Sequence, residues 1–459
     1  MSRQPLAGWG RTSPSTADVR AVGSTDDVAR QVAGHVADRV PGAGRGVLAR
    51  GLGRSYGDAA QNGGGVVLDM TGLAEVHAVD PGTRLVDVDA GVSLERLIDV
   101  LLPRGLWVPV LPGTRQVTVG GAIAADVHGK NHHVHGSFGD HVTSMELVLA
   151  DGSVRTLRRG TTDPEEAALR RATVGGMGLT GVVTRATIEC RRVATSSMVV
   201  DTERAGDLDE LLAVLATDED RYPYSVAWFD AVATGGAAGR AVITRGRHAE
   251  RDELPAASRA RPLAYTPGVR AAVPDAVPPG VLNRATARAF NALYYRAAPR
   301  RRRTEVQDLT TFFHPLDAIT SWNRLYGPRG MVQYQLVVPL GAEDVVRRVV
   351  ADVAASGHVS CLNVLKRFGP GNDSPLSFPT EGWTLAVDLP VRAGLGHLLR
   401  GLDEQVLDAG GRLYLAKDSR ADSATLRRMY PRLDEFRATR RRVDPDGVFV
   451  SDLARRLEL

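Results

Sequence analysis

Apolar and polar positions follow two textures along the chain. In the first, GRGVLAR (44–50) and GGVVLDM (64–70) are short apolar runs bounded by glycine, the pattern of buried strands. RLVDVDAGV (84–92) alternates apolar and polar residues as a half-exposed strand does. SLERLIDVLLPRG (93–105) switches to helical spacing, with Ser93 in the N-cap position and Gly105 past the last turn. SMELVLADGSVRTL (144–157) predicts a hairpin turning at Asp151-Gly152, and GVVTRATIEC (181–190) predicts a further strand.

The second texture begins near residue 194. YSVAWFDA (224–231), GRAVITRG (239–246), VQYQLVVP (332–339) and WTLAVDLP (383–390) predict strands. AEDVVRRVVADVAASG (342–357) and LGHLLRGLDEQVLDAGG (395–411) predict amphipathic helices ending at Gly357 and Gly410. This mixture predicts an antiparallel sheet covered on one face. Residues 267–303, rich in Pro, Ala and Arg and ending in Arg300–Arg303, read as a mobile surface loop rather than a dedicated binding element. The fold class expected is α+β with two domains, which suits 459 residues.

Composition narrows the function. A hydrophobic fraction of 43% and a charged fraction of 24% are ordinary for a soluble globular protein. A net charge of +4 argues against a nucleic-acid binder and leaves room for an anionic small molecule or membrane surface. Cys190 and Cys361 stand far apart, so neither a disulfide framework nor a cysteine zinc site is expected. The N-terminal stretch MSRQPLAGWGRTSPSTADV has no apolar core of the signal-peptide kind, and no run reaches the ~20 apolar residues that cross a bilayer. A lipid substrate would therefore be met from the membrane surface.

Three stretches carry candidate chemistry. GGMGLTG (175–181) matches G-x-G-x-x-G through Gly176, Gly178 and Gly181, but a β-branched strand follows where a nucleotide-binding turn requires a helix. In ARGLGRSYGD (49–58), Gly51, Gly53 and Gly57 can expose successive backbone N–H groups to phosphate, with Arg54 and Ser55 as further donors. PGTRQVTVGGAIAADVHGKNHH (112–133) adds Thr114, Thr118, Gly120 and Gly121, and its small residues admit a large flat ligand. Two phosphate-friendly loops fit a dinucleotide better than a single phosphate. His128, His132, His133 and His135 suggest a metal, but Gly129, Asn131 and Gly136 oppose a helix and the nearby carboxylates are only Asp126 and Asp140; a polar active-site loop is favoured. Tyr414 and Lys417 end a strand-like run in GGRLYLAKDSR, where a lysine serves either as surface charge or as part of a pocket.

These stretches, with GWGRT, ATVGGMGLTG, FFHPLD, QYQ, SFP, AKDSR and VSDLARRLEL, resemble the FAD-dependent oxidoreductases of the vanillyl-alcohol oxidase type from about Gly8 onward. The resemblance implies an FAD domain from residues 1–193 and 412–459 and a substrate domain from 194–411. It implies that Arg50, Gly51, Leu52, Gly53, Arg54, Ser55, Tyr56, Gly57 and Asp58, with Gly113, Thr114, Thr118, Val119, Gly120 and Gly121, hold the FAD pyrophosphate. Ala125, Asp126, Val127, His128, Val182 and Tyr414 would line the rest of the cofactor. Many relatives attach FAD through a histidine in an RSGGH-like loop; the comparable Arg54-Ser55-Tyr56-Gly57-Asp58 lacks it, so noncovalent FAD is expected.

The branch it most resembles implies oxidation of the ribose 2-hydroxyl of decaprenylphosphoryl-β-D-ribose to a ketone. That is the first half of an epimerisation feeding cell-wall arabinan synthesis, completed by an NAD-dependent short-chain reductase. Lys417 and His128 are the catalytic candidates, with the base open between them. Lys130, Gln335 and Lys366 match pocket positions, and Tyr56 and Trp228 would shape the cavity. Ala386 stands where relatives carry a cysteine open to covalent inhibitors, and Phe313 where they carry tyrosine. The competing readings are an oxygen-using FAD sugar-alcohol or aldonolactone oxidase, a metal-dependent hydrolase on the histidines, and a noncatalytic binder of anionic membrane through Arg300–Arg303. Association with a membrane surface, at the cytoplasmic face or in the cell envelope, is expected, and no nucleic acid.

Overall fold

Val66–Asp69, apolar except at its end, lies between Ser15–Ala21 and Val47–Arg50 as three parallel strands, with Ser2–Leu6 antiparallel at the edge. The computed structural model describes residues 2–37, 45–217, 221–268, 271–274, 277–278 and 280–459. A second sheet is antiparallel, in the order Val76–Asp80, Leu85–Asp89, Val182–Glu189, Val142–Val148, Val154–Arg158. The predicted hairpin turns at Gly152, whose φ of 81° suits glycine. Leu94–Leu101, capped by the Ser93 hydroxyl at 3.1 Å from the Arg96 N–H, buries Leu94, Leu97, Ile98 and Leu101 against this sheet together with the short helix Val119–Ala124.

The third sheet has eight antiparallel strands: Arg303–Asp308, Ser197–Ala205, Ala241–His248, Tyr224–Phe229, Asn363–Phe368, Gly382–Pro390, Met331–Val338 and Arg412–Leu413. Strand alternation divides it into two faces. Ala227, Ile243, Leu336, Leu365, Leu385 and Val387 face a core closed by the helices Leu208–Ala216, Glu343–Ala355 and Leu395–Asp408. Val226, Gln333, Gln335, Val364, Lys366, Thr384, Ala386 and Asp388 line a cavity on the opposite face. The expected mixed architecture, with a sheet covered by helices, is what forms.

After Arg412–Leu413 the chain leaves this sheet. Residues 414–459 join both parts: Leu415, Leu426, Tyr430, Leu433 and Phe436 extend the core of this sheet and its helices, while Phe449 bridges Val47 and the Ser15 hydroxyl donates to Asp452 at 2.5 Å.

Residues 267–303 depart from the loop expected there. They contain the helix Arg284–Ala297, capped by Asn283, whose side chain accepts from the Ala285 and Thr286 N–H groups at 2.8 and 3.1 Å. Ala, Arg and Leu are strong helix formers and no proline falls inside this stretch, so local propensity explains the helix. The expectation of mobility falls partly on 269–270, 275–276 and 279, which lie outside the described residues. Arg303 begins the edge strand, and Arg302 lies 3.4 Å from Glu203.

Candidate active site

The two glycine loops meet. A Cβ on Gly51 would fall 2.1 Å from the Thr118 hydroxyl, so only glycine lets the backbone approach this closely. The Thr118 hydroxyl itself caps Val119–Ala124 by accepting from the Gly121 N–H at 3.2 Å. Gly51, Leu52, Gly53, Arg54, Ser55 and Tyr56 line one wall of a cavity of about 810 Å³, and Gly113, Thr114, Thr118, Gly120 and Gly121 line another. That volume lies within the range of small-molecule sites, roughly 300–1,000 Å³. The backbone N–H groups of Gly53, Arg54 and Ser55 meet no acceptor among the described residues, in a loop that lines the cavity.

Several expected cofactor residues do other work. Arg50 donates to the carbonyls of Ala60 and Ala7 at 2.6 and 2.9 Å and braces the loop from behind. Gly57 approaches the Asp418 backbone, where a Cβ would collide at 1.8 Å, and does not reach the cavity. Asp58 is turned into an ion pair with Arg456, whose Nε and Nη2 lie 2.9 and 2.7 Å from its oxygens. Val119 and Val182 are core residues. Gly120 and Gly121 line the cavity, yet their N–H groups are engaged by the Ala90 carbonyl and the Thr118 hydroxyl; they contribute closeness rather than donors.

Asp126, with φ at 40°, lies behind the cavity wall as a buried staple. It accepts from the Gly139 N–H at 3.0 Å, Ser137 at 2.8 Å, Asn372 at 2.8 Å and Ser377 at 2.5 Å, joining the histidine loop to the segment beside Phe378. Ala125, Val127 and His128 then face the cavity, with Tyr414 closing over them; its hydroxyl donates to the Ala125 carbonyl at 2.8 Å.

The four histidines diverge. His128 places one ring nitrogen 3.0 Å from the Gln335 amide and the other 3.5 Å from Lys366 Nζ, with its ring against Phe368, Phe378 and Tyr414. His132 is buried against Phe368, His133 contacts the Tyr222 carbonyl at 2.8 Å, and His135 meets Arg191. No group of three His, Cys, Asp or Glu side chains among the described residues has the arrangement of a metal site.

Lys130, Lys366 and Lys417 all line the cavity and make it electropositive. Burial pushes Lys366 down to about 8 and, with Lys366 as a second cause, Lys130 down to about 7. Lys130 donates to the Phe312 carbonyl and lies over that ring at 4.4 Å. Burial, reinforced by Lys366, holds His128 well below the ordinary imidazole range, so the ring is neutral. Lys417 rests over the Tyr56 ring, at the end of the turn in which its N–H donates to the Tyr414 carbonyl at 2.9 Å.

Trp228 is one step beyond the cavity-lining Val226 on the same strand face. Its indole donates to the Cys361 carbonyl at 2.9 Å and its ring meets Tyr294 of the helix Arg284–Ala297 at 4.7 Å. Phe313 belongs to the aromatic core with Trp107 and Tyr224, so the hydroxyl missing there is missing from the core and not from the cavity wall.

Asp388 and Gln333 also face the cavity and were not anticipated. The signal for Asp388 lay in WTLAVDLP, an acid in phase with Thr384 and Ala386 in an otherwise apolar strand. Arg115, Asp317 and Glu95 form a further missed cluster: the Arg115 N–H donates to Asp317 at 2.9 Å and its guanidinium to Glu95 at 2.8 Å.

The glycine loops, the antiparallel sheet above them and the cavity between define an FAD-binding oxidoreductase of the vanillyl-alcohol oxidase type. Residues 18–158 match the FAD binding domain family, and residues 390–457 match the D-arabinono-1,4-lactone oxidase family. The chain is 51% identical over 455 residues to decaprenylphosphoryl-β-D-ribose oxidase of Mycolicibacterium smegmatis, spanning 99% of this chain and 97% of that protein. It is 28% identical over 426 residues, 90% of each chain, to L-gulono-1,4-lactone dehydrogenase of Mycobacterium tuberculosis. The chain belongs to the decaprenylphosphoryl-β-D-ribose oxidase family. It is an FAD-dependent oxidoreductase acting on CH–OH groups, and the unengaged N–H row and the closely apposed glycines fit that cofactor.

Proposed function

We propose that the protein oxidises the 2-hydroxyl of decaprenylphosphoryl-β-D-ribose to the 2-keto compound. The observation that carries this reading is the continuity of one cavity from the two glycine loops to Lys417, His128, Lys366 and Gln335. FAD, when bound, supplies the hydride acceptor. Gly53, Arg54 and Ser55 hold its phosphates through backbone N–H groups, and Thr114 and Thr118 flank them. The attachment is noncovalent: residues 54–58 contain no histidine, and the cavity wall contains no cysteine among the described residues.

Lys417 fixes the sugar hydroxyl and balances negative charge that develops during hydride loss. Gln335 and Lys366 hold the neutral His128 ring in place, while Lys130 and Lys366 attract the anionic phosphate end of the substrate. We assign residues 1–193 and 412–459 to the FAD unit and 194–411 to the substrate unit. Phe290, Leu293 and Tyr294 are exposed on the helix Arg284–Ala297, and Ile319 is exposed at the cavity, which supports docking at a membrane surface where the lipid substrate resides. An NAD-dependent short-chain reductase would take the keto product onward.

The test is direct. The purified protein is expected to be yellow, to release flavin on denaturation, and to be bleached without oxygen by polyprenylphosphoryl ribose but not by soluble polyols. The match of residues 390–457 to an aldonolactone oxidase family supports a second reading. Bleaching by aldonolactones in preference to the lipid-linked sugar would establish it instead.

A further inference from the structure

We propose that Asp388 is the group that takes the hydroxyl proton, with Lys417 as a cation lining the same cavity; this rests on the oxidation proposed above. Asp388 shares the cavity face of Gly382–Pro390 with Thr384 and Ala386, while Leu385, Val387 and Leu389 are buried in the core. Its N–H is held by the Ser360 hydroxyl at 3.1 Å and the Leu362 carbonyl at 3.3 Å. Its Oδ1 accepts from the Gln333 amide at 2.5 Å. Its Oδ2 is buried and meets no donor among the described residues. A buried carboxylate oxygen without a partner is costly, and a hydroxyl brought into the cavity supplies the missing donor.

The other candidates are engaged elsewhere. Both His128 nitrogens face amine or amide groups, and its ring is wedged among three aromatic rings. The Lys130 ammonium donates to the Phe312 carbonyl. Glu95 and Asp317, the remaining cavity acids, are bonded to Arg115 and Gln116. The charged and titratable groups that act on Asp388 are Lys417, Tyr56, Tyr326 and Cys361. Burial raises the proton affinity of its carboxyl, opposed by the Gln333 hydrogen bond and by Lys417.

In the step, the substrate O–H breaks and its proton passes to Oδ2. The adjacent C–H breaks with its electron pair, which the hydride acceptor named above receives, and the carbon–oxygen bond becomes a carbonyl. The carboxyl returns its proton to solvent before the next turnover.

Asp388→Asn and Asp388→Glu, loaded with FAD, test this through the rate of anaerobic bleaching by polyprenylphosphoryl ribose. The Asn variant is expected to keep its flavin and to bleach at least ~100-fold more slowly, with its rate no longer rising with pH, and the Glu variant to recover part of the loss. A second readout needs no turnover: in flavin-free protein carrying ¹³C-labelled aspartate carboxyls, the signal absent from the Asn variant should titrate above the ordinary aspartate value of about 3.9 and move up in Lys417→Met. Wild type that bleaches alongside an Asn variant of similar rate overturns the assignment of Asp388 alone. Wild type that does not bleach overturns the oxidation reading and this inference with it. Should the Asn variant lose its flavin, a carboxyl titrating at the ordinary value in wild type overturns the assignment.

Discussion

The Lys417 ammonium lies 3.7 Å from the centre of the Tyr56 ring. The contact joins the first glycine loop to the segment that follows the last strand of the large sheet, and the Tyr56 N–H donates to the Ala416 carbonyl at 2.9 Å to fix it. Burial lowers Lys417 from the ordinary lysine value, while the ring face favours its charged form.

Lys417→Ala is expected to retain FAD and to lower the bleaching rate by about 100-fold or more, since loss of one charge-stabilising group costs on that order. Tyr56→Leu removes the ring face, worth about 0.5–2 kcal/mol to the cation, and should shift the loss of the Lys417 proton, and with it the fall in rate at high pH, to lower pH. Stopped-flow reduction across a pH series reads both. Unchanged bleaching in Lys417→Ala would falsify the role of its ammonium.

Gly51→Ala places a methyl 2.1 Å from the Thr118 hydroxyl and 2.8 Å from its methyl. The loops must separate, so the variant should purify largely without flavin. Combining it with Thr118→Ala removes the two nearest clashing atoms and should restore part of the flavin content, measured as the absorbance ratio of flavin to protein.

Arg456 bridges Asp58 and Asp418, each largely buried, with contacts of 2.7–2.9 Å. Arg456→Met leaves two carboxylates facing each other and is expected to cost about 3 kcal/mol or more in urea unfolding. Asp58→Asn in the same background should recover part of that loss. If both variants unfold at the wild-type midpoint, the bridge does not stabilise the fold.

His132 and His314 are buried, and burial pushes each down to about 3 from the ordinary 6.5. In the unfolded chain they bind protons below about 6.5, while in the folded chain they stay neutral until about pH 3. Stability is therefore full above 6.5 and falls as the pH drops from 6.5 toward 3, by up to about 1.4 kcal/mol per pH unit for each histidine. Denaturation midpoints at pH 7, 6 and 5 should show this, and His132→Phe should reduce the slope. An unchanged slope counts against the neutral, buried state of His132.

What could be read from the residue pattern follows from where each signal resides. Val182–Glu189 and Met331–Val338 were legible because alternation marks a strand whose two faces differ. Arg303–Asp308, RTEVQD, is an edge strand with little burial, so its identity comes from pairing with Ser197–Ala205 and not from its own composition. Loop glycines pointed to the cavity, but the distinction between Gly53, whose N–H is unengaged, and Gly120, whose N–H is tied to Ala90, depends on partners distant in the chain. The family resemblance places Arg50 and Asp58 at the cofactor, but their side chains are engaged by Ala7 and Arg456, 43 and 398 positions away. Asp388 was visible only as an acid in phase with Thr384 and Ala386.

The 398 positions between Asp58 and Arg456 also set the order in which the site comes into being. The ribosome makes the first glycine loop early and must add almost all the remaining chain before Lys417 can rest on Tyr56 or Arg456 can hold Asp58. A nascent chain therefore carries an open cradle through most of its synthesis, and a fragment ending before residue 412 lacks one side of it permanently. In the cofactor placement proposed above, the flavin content of the purified protein therefore reports whether this late segment has docked.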